Sequence, residues 1–225
     1  MTPGRPATDE ALLTEALGGW RGLLDSAAPP LVFVICYVAT SELTPSLWAS
    51  LGAAFLVAVI RLWRRQPLRQ IVGGVIGIAV SAYFASRTGK AEDFFLPGLL
   101  INLGYAAVFV VSLVVRWPLV GVVVGGLTGD VAGWRADRRA YRAAQLATLV
   151  WIGSFLLRVA VQWPLYAAGM VAALGAAKIV LGWPVYLATL WITYLLMRPT
   201  LARRRQAVAE AAGTPPAADT ESESR

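Results

Sequence analysis

Residues 94–118 read FFLPGLLINLGYAAVFVVSLVVRWP. From Phe94 to Val115 the stretch carries no charge, and about 20 apolar residues in a helix cross the hydrocarbon of a bilayer. Arg116, Trp117 and Pro118 follow at once. A cation and an indole suit the headgroup region, and a proline resists helix continuation. The stretch therefore reads as one membrane span with its end marked.

Working outward, five more stretches have the same character. They lie at about 27–41, 46–60, 71–86, 143–162 and 174–197. The first two are short, and need a thinned bilayer or extension into their flanks. Composition agrees: 57% of the residues are hydrophobic, 15% are charged, and the mean hydropathy is +0.62. A soluble chain sits near ~45–50% apolar and ~25% charged. Hiding this much apolar side chain in a soluble fold would leave large exposed patches. The expected fold is all-α: a polytopic transmembrane helical bundle of six spans arranged as three hairpins, with an N-terminal amphipathic interfacial helix.

The cations set the expected sidedness. Arg61, Arg64, Arg65 and Arg69 lie between spans two and three; Arg116, Arg135, Arg138, Arg139 and Arg142 lie between spans four and five. With the terminal arginines, sixteen of the twenty Lys and Arg fall on one side of a six-span chain. Positive residues resist translocation, so that side is cytoplasmic and both termini are inside. These nine loop arginines are membrane-anchoring residues in this reading. The net charge of +7 points to the anionic membrane face, and nucleic acid is not an expected partner. Each hairpin ends on Arg followed closely by Pro, at Arg65-Gln66-Pro67, Arg116-Trp117-Pro118 and Arg198-Pro199. The expectation is that each proline stops its helix.

The flanks differ from the spans. Within 1–26, Leu12, Leu13, Leu17, Trp20, Leu23 and Leu24 fall near helical spacing, which predicts an amphipathic helix on the cytoplasmic face. No cationic region leads directly into an apolar core there, so a cleaved signal peptide is not expected. The transmembrane domain occupies 27–200, and 201–225 is a basic then polar, disordered tail. Residues 118–130, PLVGVVVGGLTGD, are too few to span and too apolar for a free loop. They are an interfacial stretch packed on the bundle, or a re-entrant piece lining a cavity. Gly121 and Gly125, like Gly73 and Gly77, have the spacing that lets helix backbones approach closely.

The search for chemistry narrows quickly. With no His and only Cys36, the chain has no Ser-His-Asp triad, no His-ligated metal and no internal disulfide. GGVIGIA at 73–79 is no phosphate-binding loop and lies inside a span, so no cofactor is expected. Asp130 and Asp137 are the only acid–base candidates near the membrane, and Asp137 has arginine neighbours. No acidic residue falls within a span, which argues against a carboxylate-driven pump. An enzyme is not expected.

What remains is a polar set inside the spans: Asn102, Arg158, Gln162 and Lys178, with Tyr83 near the end of span three. Arg158 is about five residues from Trp163, and Lys178 is as far into span six, or roughly 6–8 Å deep at ~1.5 Å per residue. Two readings stay open. Long cationic side chains can snorkel to lipid phosphate. Alternatively, the five residues form an outward-facing cationic recess for an anionic group.

The run from GGWRGLLDSAAPPLVF (18–33) through RLWRRQPLRQ (61–70) to FLLRVAVQWPLY (155–166) resembles a family of uncharacterised integral membrane proteins of actinobacteria. More distantly, hairpins two and three resemble intracellular septation protein A. That match rests on Arg64, Arg65 and Pro67 before span three, Arg116 and Pro118 after span four, and Trp151 and Lys178 in spans five and six. The resemblance implies a non-enzymatic cell-membrane protein of envelope maintenance or septation. Its implied partners are membrane lipids and envelope or division proteins, and a homo-oligomer is compatible with it. The alternative from the residues is a transporter, channel or lipid-handling protein that uses the recess.

Overall fold

The computed structural model describes residues 19–66, 68–127 and 133–213, and there is no strand among them. Seven α-helices follow one another: α1 (Gly19–Thr40), α2 (Leu43–Trp63), α3 (Leu68–Thr88), α4 (Leu96–Val114), α5 (Leu119–Leu127), α6 (Arg138–Ala167) and α7 (Val171–Gly213). Short 3₁₀ turns occupy Ala91–Phe94 and Gly133–Arg135.

Five helices are long and apolar enough to cross a membrane: α2, α3 from Ile71, α4, α6, and α7 as far as Thr200. The first expected span appears as a shorter apolar stretch, Asp25–Thr40, within α1. Trp48, Phe55, Val114 and Trp191 are among many large apolar side chains left exposed. Water would penalise such a surface, whereas lipid does not. The chain is a multi-pass membrane protein.

Several boundaries differ from the sequence reading. Gly19–Thr40 is one helix of 22 residues that runs through Pro29 and Pro30, so no element boundary falls at 26/27. The expected amphipathic helix lies otherwise outside the described residues. The second span gains length at both ends, reaching 21 residues. Arg198-Pro199 does not end its helix: α7 continues to Gly213. A proline forfeits one helical donor and is accommodated where neighbouring turns hold. Residues 214–225, the end of the expected disordered tail, are outside the described residues.

The other two Arg-Pro steps do stop helices, through the arginine backbone. Arg65 and Arg116 have φ of 55° and 58°. Gln66 N–H donates to the Arg61 carbonyl and Arg65 N–H to Leu62; Trp117 donates likewise to Ser112 and Arg116 to Leu113. These are Schellman caps with arginine at the left-handed position usually held by glycine. Gly169, at φ 65°, closes α6 the same way.

By internal contacts the chain forms two units: 1–105 with 155–186, and 106–154 with 187–225. In the first unit, α1 packs on α2 and α2 on α3. Ser46, Ser50 and Ala54 present a buried small-residue stripe on α2, and Ser50 Oγ donates to the Pro29 carbonyl at 3.0 Å. The core centres on Phe33, whose ring stacks on Phe94 at 4.0 Å between centroids and meets Phe95 edge-on at 6.2 Å. Leu47, Ala82, Ala85, Ala91, Val171 and Leu174 complete it. At one end of α1, Asp25 pairs with Arg64 at 3.4 Å and Arg61 at 3.8 Å, and Arg61 also donates to Ser26 Oγ at 3.0 Å.

In the second unit, the apolar 118–130 segment forms α5 over Leu119–Leu127, held against α6. Gly121 makes this possible: a Cβ there would lie 2.6 Å from the Trp134 ring and 2.8 Å from Ala144 Cβ. Val120 N–H reaches Thr148 Oγ1 at 3.4 Å. Gly73 and Gly77 have no such use, since nothing lies within 4 Å of where their Cβ atoms would be. Trp151 Nε1 donates to Thr193 Oγ1 at 3.1 Å, which ties α6 to α7.

Candidate functional site

A cavity of about 460 Å³ lies within the first unit, walled by α1, the start of α4, the end of α6 and the first part of α7. Helical spacing puts its residues on single faces. Gly98 and Asn102 are four apart on α4, Arg158 and Gln162 four apart on α6, and Lys178, Gly182 and Tyr186 repeat by four on α7. Ser26, Pro30 and Leu31 come from α1. The lining contains two cations and no carboxylate.

The sequence-predicted set divides four to one. Asn102, Arg158, Gln162 and Lys178 all line this cavity. Tyr83 does not: it is 56% exposed, with the Arg87 guanidinium 5.3 Å from its ring centroid. Its phase on α3 points it elsewhere, and distance from the end of a span does not reveal phase. Of the anchoring arginines, Arg64, Arg65, Arg116, Arg135, Arg138, Arg139 and Arg142 are exposed or partly so, whereas the Arg61 side chain is only 12% exposed. Nothing is described of the Arg69 side chain.

Arg158 does not reach outward to lipid. It is 8% exposed, and its Nε donates to the Leu181 carbonyl at 2.8 Å and its Nη2 to Gly182 at 3.2 Å. Both carbonyls lie in the turn preceding Pro184. That proline has no N–H for the Val180 carbonyl, and Arg158 donates to the two carbonyls that follow it. Arg158 thus braces α7 while its charge stays at the wall.

Lys178 is placed differently. It is half-buried, its Nζ 5.4 Å from the Phe95 ring centroid, and it makes no hydrogen bond or ion pair among the described residues. Gln162 is 8% exposed and its amide also makes no hydrogen bond among them. Asn102 spends one of its two amide N–H groups on the Gly98 carbonyl at 2.7 Å and also lines the cavity.

Sequence reasoning missed the remaining walls. Trp183 reads as a membrane-interface residue but lines the cavity, as do Tyr186 and Ser26. The available signal was Gly182-Trp183-Pro184 in the middle of an apolar span, a loosened turn beside a residue without a side chain. No cluster that could hold a metal ion occurs among the described residues.

No curated protein and no solved structure matches the chain. A family model does, over residues 17–204, which contain the seven described helices except the C-terminal end of α7, and every residue of the cavity. With most of its length covered, the chain belongs to the family described as Protein of unknown function (DUF3159).

Proposed function

We propose that the protein is a non-enzymatic membrane protein that receives an anionic ligand in this cavity, in a lipid-handling or transport role. The observation that carries the reading is the pair Arg158 and Lys178 in one cavity wall without a carboxylate. Two cations within an apolar protein are costly to bury, and intramembrane cations mark ligand or ion paths. The walls also hold Pro30, Leu31, Phe95 and Ile179, which suit the apolar part of an amphiphile. An envelope or septation role, implied by resemblance, is one use of such binding.

The accompanying topology is six spans in three hairpins within the cell membrane, both termini cytoplasmic. Its first span would be α1, whose apolar part, Asp25–Thr40, is shorter than a ~30 Å hydrocarbon core requires and crosses only with local thinning or with help from its flank. The topology is supported by the arginines gathered on one side of that path.

Binding of phosphate-headed and choline-headed ligands, each with one chain or two, tests the reading. Native mass spectrometry of the full chain should show phosphate-headed adducts in excess over choline-headed ones of the same chain number. Equal retention of both heads in both series overturns it.

A further inference from the structure

Resting on that reading, we infer that the cavity's occupant is a single-chain amphiphile with an oxyanion head, the head held by Lys178, Gln162 and Asn102 and the chain lying along Gly98 and Gly182. The polar groups divide by their existing duties. Arg158 already gives hydrogen bonds to Leu181 and Gly182, which makes it a positioning residue. Lys178 and Gln162 make no hydrogen bonds within the described residues, and Asn102, which lines the same space, has a second amide N–H beyond the one given to Gly98. An ammonium and two amides match a phosphate or carboxylate: the cation neutralises it, and the amide N–H groups donate to its oxygens.

Size and wall shape decide the number of chains. At about 460 Å³ the cavity is in the lower half of the ~300–1,000 Å³ range of small-ligand sites. That matches a head with one chain segment more closely than the two chains of a phospholipid. Gly98 and Gly182 line it, and a Cβ at either would meet nothing within 4 Å. Their missing side chains therefore leave a slot that an apolar tail can fill. Gly175 works the other way: a Cβ there would come within 2.6 Å of Val34 Cγ2. It brings α7 close to α1 and keeps the slot narrow.

The experiment titrates the full chain, in zwitterionic nanodiscs, with dodecyl phosphate, phosphatidic acid and inorganic phosphate. Dodecyl phosphate should bind tightest. Lys178→Gln should weaken it about tenfold, as expected for losing a charged hydrogen bond, while Lys178→Arg stays within a few-fold of wild type. Gly182→Leu fills open space and favours helix, so it should weaken dodecyl phosphate by tenfold or more without lowering the thermal midpoint. If inorganic phosphate or phosphatidic acid binds as tightly as dodecyl phosphate, or Gly182→Leu binds like wild type, the single-chain assignment is overturned and anion binding stands. If none of the three binds, the anion-binding reading falls with it.

Discussion

Arg158 Nε lies 2.8 Å from the carbonyl oxygen of Leu181, three residues before Pro184. A side chain that composition alone would send to the lipid headgroups instead braces the turn of α7 that precedes Pro184. Removing it exposes two consequences at once, a lost charged hydrogen-bond pair and a relaxed cavity wall.

Arg158→Ala should therefore cost stability before it costs anything else. Charge-assisted hydrogen bonds contribute about 1.5–3 kcal/mol each in soluble proteins and less within bilayers, so a loss of about 2 kcal/mol is expected. Thermal unfolding in detergent measures it. Arg158→Lys cannot span both carbonyls with one fork and should recover only part. A wild-type midpoint for Arg158→Ala would contradict the bracing role.

Gly121 and Gly126 offer a matched pair on α5. Alanine at 121 would drive Cβ into the Trp134 ring and Ala144, whereas at 126 nothing lies within 4 Å. Overpacking costs about 1–3 kcal/mol, so Gly121→Ala should lower the midpoint and Gly126→Ala should not. Equal effects would mean that α5 does not rest on Trp134 as described.

Phe33 is fully buried, between Phe94 and Phe95. Phe33→Ala should cost about 3–5 kcal/mol, and Phe33→Leu less, because it retains most of the volume. Chemical denaturation or proteolytic resistance of the purified variants would rank them. A ranking that puts Phe33→Ala level with an exposed change such as Phe55→Ala would refute the assignment of this cluster as the core.

Asp25 faces two arginines of unequal exposure: the Arg61 side chain is 12% exposed and that of Arg64 45%. Exposed pairs contribute about 0–1 kcal/mol, and breaking a buried pair costs more. Arg61→Ala should destabilise clearly and Arg64→Ala barely. Double-mutant cycles with Asp25→Ala should give the larger coupling at Arg61, and the reverse order would count against the inward placement of its side chain.

Sidedness can be checked on the intact chain. A reporter fused after Arg225 should be active only in its cytoplasmic form. Activity in the extracytoplasmic compartment would overturn this topology, through either an odd number of crossings or an inverted orientation.

Much of this protein was legible from residue type alone. Asn102, Arg158, Gln162 and Lys178 stood out because polar side chains are costly in apolar spans, and four of the five singled-out residues do share one cavity. Tyr83 did not follow, Trp183 read as an interfacial residue and lines the cavity instead, and Tyr186 was not singled out. Near-uniform apolar spans carry little periodicity, so they do not reveal which face of a helix turns inward. The proline at 199 misled for a related reason: a single missing donor does not dictate a helix end, and the arginine caps at 65 and 116 are backbone events that require the following residues to close the turn.

Sequence by itself determined the helical, membrane-crossing character of the chain, because lipid offers no partner for an unbonded backbone. It also determined how few polar groups are available inside. Tertiary structure alone decided that Arg158 binds peptide carbonyls of α7 while Lys178 and Gln162 face open space. That choice depends on the rotation of four helices about their axes, which is set by where small residues such as Gly175 and Ser50 let the backbones meet.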